Sequence, residues 1–351
     1  MKVEHRVKLQ PEDHPMARWQ HVGMVIPWIA GLLLVMVISP LQGADERHLA
    51  PAFSDPNKTA QRSEEWQSRS IQHASWAEKA DLALTLDQHQ YGALNEVIQQ
   101  FGQKNGWHIA TREGNCGTSE SMLDKKQVDI AGFCCPPATD DRLPGLKYHT
   151  LGIAALAILV HRDNQVKNMT EEEVRGVFSG KISNWSQLAG AGTGGVWDQP
   201  VRPVGRLHCA TRPGHWRTIL ADENEFSSRL VEVGTIPDMI AAIATDPKAI
   251  GYEVLWNIRR FDTKGLVRPV DIGGVSPEDD QAVATGLYPF YQVVNVSTWE
   301  SDHLRNTKAN RLIDHLKGQI PILKPLYKIV SQEWLRKNGW RFAEDELIGR
   351  P

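Results

Sequence analysis

From Asp81 onward the sequence alternates short apolar runs with stretches of helical period, and that order leaves few folds open. "LALTL" (82–86) reads as a buried strand. Tyr91, Leu94, Val97, Ile98 and Phe101 then recur at helical spacing. "WHIAT" (107–111) predicts a second strand, a helix begins near Thr118, and "VDIAGF" (128–133) predicts a third strand. Order βαβαβ implies a parallel sheet covered by helices. Beyond it, "AALAILVH" (154–161) is a longer buried strand. Thr170 and Glu173 form a capping box, and Gly180 closes that helix. "VRPVGR" (201–206) and "YPFYQVVNV" (288–296) predict further strands, and Thr235, Pro237 and Asp238 open another helix. The pattern predicts two α/β lobes, with the chain crossing between them twice.

A length of 351 residues suits two domains of ordinary size. Hydrophobic residues make up 41% and charged residues 23%, as in a globular protein. A net charge of −3 argues against a general polyanion binder, so no nucleic-acid partner is expected. Val22 to Ser39 is an uncharged, mostly apolar run, preceded by Lys2, Arg6, Lys8 and Arg18 and followed by Gly43 and Ala44. Residues 1–44 are expected to be a cleaved signal peptide or an uncleaved signal anchor helix, and both readings stay open. Either one engages the membrane and places the rest of the chain in a periplasmic or extracytoplasmic location. Residues 45–78 are polar and irregular and are expected to be a tether.

The four cysteines are unevenly placed. Cys116 lies in "GNCGTS", between a predicted strand and a predicted helix; Cys134 and Cys135 are adjacent and lead into Pro136; Cys209 follows the 201–206 strand. Adjacent cysteines do not match the usual spacing of structural zinc ligands. All four fall in loops leaving strands, and in open parallel sheets that is where ligands bind and helix N-termini point their donors. In an oxidising compartment, ordinary buried thiols or disulfides account for them equally well.

The run "LGIAALAILVHRDNQVKNMTEEEVRGVFSGKISNWSQLAG" resembles the crossover segment of phosphate-type periplasmic solute-binding proteins, the substrate-binding subunits of phosphate ABC importers. "VRPVGR", "KAIGYEVL" and "YPFYQVVN" follow in matching order, and the resemblance spans about residues 80–335. It implies a two-lobed type II periplasmic-binding-protein fold, with lobe 1 formed by residues 79–155 and 290–345 and lobe 2 by residues 156–289. It also implies a small-molecule or ion ligand clamped in the cleft, an ABC permease or other membrane partner, and no enzymatic activity.

The resemblance implies four ligand loops. The first carries Asp87, where a carboxylate could discriminate the ligand's protonation state. The second offers Cys116, Gly117, Thr118 and Ser119. The third places Cys134 and Cys135 where the family has a hydroxyl pair. The fourth offers His208, Cys209, Thr211 and Arg212, with His208 and Cys209 in place of small residues. Phosphate is held by many hydroxyl and amide donors plus an arginine, whereas thiols donate weakly. The scaffold is kept and its ligand shell rewritten.

Two functions therefore follow as expectations. The first is an exported receptor for a phosphate-like oxyanion, serving an importer or a sensor. The second is a metal-binding, cluster-binding or redox protein on the same scaffold, with a soft metal on Cys116, Cys134, Cys135 and Cys209. Among the remaining residues, Arg206 reads as structural, His215 as a hydrogen-bonded loop histidine, and Trp216 as either cleft wall or core.

Overall fold

The computed structural model describes residues 53–188, 197–208, 212 and 215–351. The signal or anchor expected in residues 1–44 lies outside the described residues, as do Cys209 and Thr211. Among the described residues no helix is long and apolar enough to cross a membrane.

In chain order the main elements are β1 (Leu82–Asp87), α1 (Gln88–Asn105), β2 (Ile109–Gly114), α2 (Cys116–Asp124), β3 (Ile130–Phe133), β4 (Leu146–His161), α3 (Glu171–Ser179), β5 (Arg202–Gly205), α4 (Ile236–Thr245), β6 (Ala249–Val254), α5 (Leu255–Phe261), β7 (Tyr291–Trp299) and α6 (Thr307–Gln319). The helix ends follow local chemistry. Asp87 caps α1 by accepting from the His89 amide, and Gly106 ends it in a left-handed conformation that costs glycine little. Thr170 and Glu173 form the expected capping box on α3, and Gly180 (φ 80°) closes it.

Lobe 1 is built on β2-β1-β3. Its parallel register sets Leu82 beside Ile109 and Leu84 beside Ile130. All six residues of β1 are buried, as expected of a strand covered on both faces. β7 runs antiparallel between β3 and β4. β4 is the crossing strand. Its first part pairs with β7, from Leu146 opposite Trp299 to Ala155 opposite Tyr291, and its second part pairs with β6 in lobe 2, from Leu156 opposite Val254 to Val160 opposite Ile250. β5 lies parallel to β6 and extends the lobe 2 sheet.

Two expectations shift here. The crossing strand begins at Leu146 rather than Ala154, because the polar side chains of its first half find partners across the sheet. His149 Nε2 meets Thr298 Oγ1 at 2.8 Å, and Thr150 Oγ1 donates to the Asn295 side-chain oxygen at 3.3 Å. The described part of the polar stretch 45–78 is fastened to lobe 1. Trp66 is buried and donates from Nε1 to the Asp124 carbonyl at 2.7 Å, while the Gln72 and Ala74 amides donate to the Lys126 and Gln127 carbonyls.

Candidate functional site

Three lobe 1 loops and one lobe 2 loop bring their side chains together between the lobes. Asp87 ends β1. Its Oδ1 accepts from the His89 amide at 2.9 Å and meets His89 Nδ1 at 2.7 Å. Across the cleft, His89 Nε2 meets the Glu253 carboxylate at 3.0 Å; Glu253 lies in β6. All three residues are buried. Burial alone would depress the His89 pKa, but the Glu253 and Asp87 carboxylates outweigh it and hold the imidazolium up to about 10. Burial would likewise raise Glu253, yet the charge and hydrogen bond of His89 hold it down to about 2. The pair is ionised, with both His89 ring nitrogens donating.

Arg206 follows β5 and is also buried. Its Nη2 lies 3.2 Å from His89 Nε2 and 4.0 Å from Glu253. With His89 doubly protonated, the first contact is between two donors, so Glu253 is the group that orients the guanidinium. Tyr252 fixes the Arg206 backbone, accepting from its amide at 2.9 Å and donating to its carbonyl at 3.2 Å.

The cysteines line the lobe 1 wall. Asn115 caps α2, so that Cys116 becomes its first residue. Cys116 Sγ lies 3.8 Å from Asp87 Oδ2 and 3.4 Å from Cys134 Sγ, and Cys134 Sγ lies 3.6 Å from Cys135 Sγ. All three are buried. The loop after β3 is held by Gln90, whose Nε2 donates to the Phe133 and Asn295 carbonyls. Gly132 lets that side chain pass, since a Cβ there would stand 2.2 Å from Gln90 Oε1.

Lobe 2 answers with two histidines. His208 Nδ1 donates to the Arg206 carbonyl at 3.0 Å, which fixes the tautomer and turns the Nε2 lone pair toward Cys134 Sγ at 3.9 Å. His215 packs its ring 4.8 Å from that of His208 and 5.2 Å from that of His89. It is buried, its backbone is left-handed (φ 52°), and among the described residues neither ring nitrogen has a hydrogen-bond partner. Burial and its cationic neighbours keep it neutral.

Other residues singled out in the sequence sit at the margin. Arg212 is buried and directs Nη2 to Asp141 at 2.7 Å and Glu120 at 3.6 Å, with its guanidinium 4.2 Å from the Phe133 ring centroid. Thr118 donates its hydroxyl to Asn115 Oδ1 at 3.1 Å, and Gly117 is exposed. Ser119 is buried, and among the described residues its Oγ has no hydrogen-bond partner. Trp216 is core: it is buried and donates from Nε1 to the His208 carbonyl. Sequence reasoning read Arg206 as structural and His215 as a hydrogen-bonded loop histidine, and it gave no role to His89 or Glu253. The available signal was a charge at the end of each of two apolar strands, "VRPVGR" and "AIGYEV".

A sequence model of the PBP superfamily domain matches residues 72–333. The chain belongs to the PBP superfamily. Within that superfamily it is 26% identical over 265 residues to the phosphate-binding protein PstS of Bacillus subtilis, covering 71% of this chain and 84% of the relative. It is 24% identical over 262 residues to PstS of Pseudomonas aeruginosa, covering 71% and 75%. Among solved structures, it resembles a putative phosphate ABC transporter substrate-binding protein with bound phosphate from Clostridium perfringens (TM-score 0.58, 15% identity, 75% of this chain and 99% of that one). It also resembles an ABC-type phosphate transport receptor from Vibrio cholerae (TM-score 0.52, 16% identity, 75% and 100%). At this identity the structural likeness establishes the PBP fold: two α/β lobes with a cleft between them.

Proposed function

We propose that this chain is an exported solute-binding protein whose lobes close on a phosphate-like oxyanion and present it to an ABC permease or a membrane sensor. The observation that carries the reading is the convergence of loops from both lobes on one buried cleft, in a chain that covers most of the length of relatives named for phosphate binding. The Arg206 guanidinium and the His89 imidazolium supply positive charge beside that cleft, and Ser119 has a hydroxyl to offer. Asp87 Oδ2 would accept the proton of a partly protonated oxyanion, which suits a receptor that must distinguish protonation states. The reading is of a carrier without catalysis. Residues 22–39 would direct export, so that the domain works in the periplasm or its extracytoplasmic equivalent.

Equilibrium dialysis of the reduced full chain, in chelator, against labelled inorganic phosphate tests the ligand class. One saturable site per chain is expected, weakened tenfold or more by Arg206→Gln, in keeping with about 1.5–3 kcal/mol for a hydrogen bond to a charged group. Binding that does not saturate at millimolar phosphate would exclude the oxyanion.

A further inference from the structure

The sulfur side of the cleft has no role in holding an oxyanion, because thiols are weak donors. From its geometry we infer that the cleft also binds one thiophilic metal ion, such as zinc or monovalent copper. The ligands are Cys116, Cys134 and Asp87 from lobe 1 and His208 from lobe 2. The inference rests on the reading of the chain as a two-lobed solute-binding protein, since the donor set is complete only when both lobes contribute.

Donor spacing comes first. The Asp87, Cys116 and Cys134 ligand atoms all lie within 4.8 Å of one another, and all three residues are buried. Two thiolates at about 2.3 Å from a tetrahedral ion stand about 3.8 Å apart. The two sulfurs here are 3.4 Å apart, so a small opening of the pair admits the ion.

Donor orientation is the second argument. One Asp87 oxygen is committed to His89, and the other faces Cys116. His208 is held through Nδ1 by the Arg206 carbonyl, so it presents Nε2 to Cys134. Carboxylates and imidazoles fixed through their second atom are the usual outer support of a metal site. The set also mixes soft sulfur with borderline nitrogen, a combination that selects zinc or copper over magnesium or calcium.

The third observation is independent of the cysteines. His215 is fully buried against His208, and among the described residues both ring nitrogens lack a hydrogen-bond partner. A buried polar group in that condition is costly unless a further group meets it. Binding needs no electron transfer: the two thiols release their protons to solvent as two metal–sulfur bonds form.

The test uses the full chain, reduced and stripped by chelator under anaerobic conditions. It is titrated separately with Zn²⁺, Cu⁺ and Co²⁺, and phosphate binding is measured in parallel. About one equivalent of Zn²⁺ or Cu⁺ per chain is expected, together with a near-ultraviolet thiolate-to-cobalt absorption. Cys116→Ser and Cys134→Ser should each weaken binding at least a hundredfold and erase that band while the metal-free circular dichroism is unchanged. His208→Ala should weaken binding about tenfold, and it serves as the second variant should a serine variant fail to fold. The inference is overturned by no stoichiometric binding, by a cobalt complex without the thiolate band, or by binding indifferent to Cys116 and Cys134. Phosphate bound without metal rejects this inference and keeps the oxyanion receptor, whereas metal bound without phosphate does the reverse.

Discussion

His89 Nε2 lies 3.0 Å from the Glu253 carboxylate, and this contact joins lobe 1 to lobe 2. Asp87 braces it from one side and Arg206 from the other. Each charge in the group faces a neighbour of opposite sign, which is the condition under which buried charges are tolerated. The contact therefore latches the two lobes together.

Glu253→Gln should open that latch. It leaves the His89 imidazolium and the Arg206 guanidinium without their shared carboxylate, and removing one partner of a buried pair costs about 3–5 kcal/mol. Urea unfolding of the variant at neutral pH should show a loss of that order. Small-angle scattering should show a larger radius of gyration if the lobes part. An unchanged urea midpoint would mean that the contact carries no stability.

The same pair sets a pH window. His89 is raised from 6.5 to about 10, so its contribution is complete below about 6.5 and is lost as pH rises through 10. Glu253 is lowered from 4.5 to about 2, so its contribution is complete above about 4.5 and is lost as pH falls through 2. The latch is fully formed between these inner limits and decays outside them on both sides. Stability measured from pH 3 to pH 10 should follow that dome in the wild type, and Glu253→Gln should flatten both limbs. Parallel curves for the two proteins would contradict the assignment.

Trp66 is expected to be the main anchor of the arm on lobe 1. It buries its ring against Trp299, sits under Lys126 Nζ at 4.3 Å, and donates to the Asp124 carbonyl. Trp66→Ala should cost about 3–5 kcal/mol, the usual range for a buried aromatic. It should also expose residues 53–80 to limited proteolysis before the lobes are cut. Equal protease resistance in variant and wild type would place the anchor elsewhere.

How far the sequence revealed this structure depends on how local the determining contacts are. β1 was legible because residues 82–86 are apolar or small and buried together, and α3 because Thr170 and Glu173 cap it within one turn. The first half of β4 was not, because "LKYHT" looks solvent-exposed until Asp345 and Thr298 supply partners for His149 from far along the chain. The resemblance named four ligand loops, and of their residues Asp87, Cys116, Cys134 and His208 lie near one another. Glu253 could not, since its partner His89 lies 164 residues away and nothing local distinguishes it from a strand-edge carboxylate.

Arg212 gives the last prediction. Its guanidinium is buried on Asp141 at 2.7 Å, and Asp141 is itself pushed up by burial, with Arg212 opposing that push. Arg212→Ala removes the opposing charge, so Asp141 must rise further. Above its raised pKa the carboxylate would then be buried without its partner, or would have to take up a proton. The cost should be about 3 kcal/mol at pH 7 and should shrink as pH falls below about 4, where the carboxyl is protonated in the folded and unfolded chain alike. Denaturant unfolding of both proteins at pH 7 and pH 4 reads this directly. A deficit that is constant across the two pH values would mean that Arg212 acts through packing over Phe133 and not through Asp141.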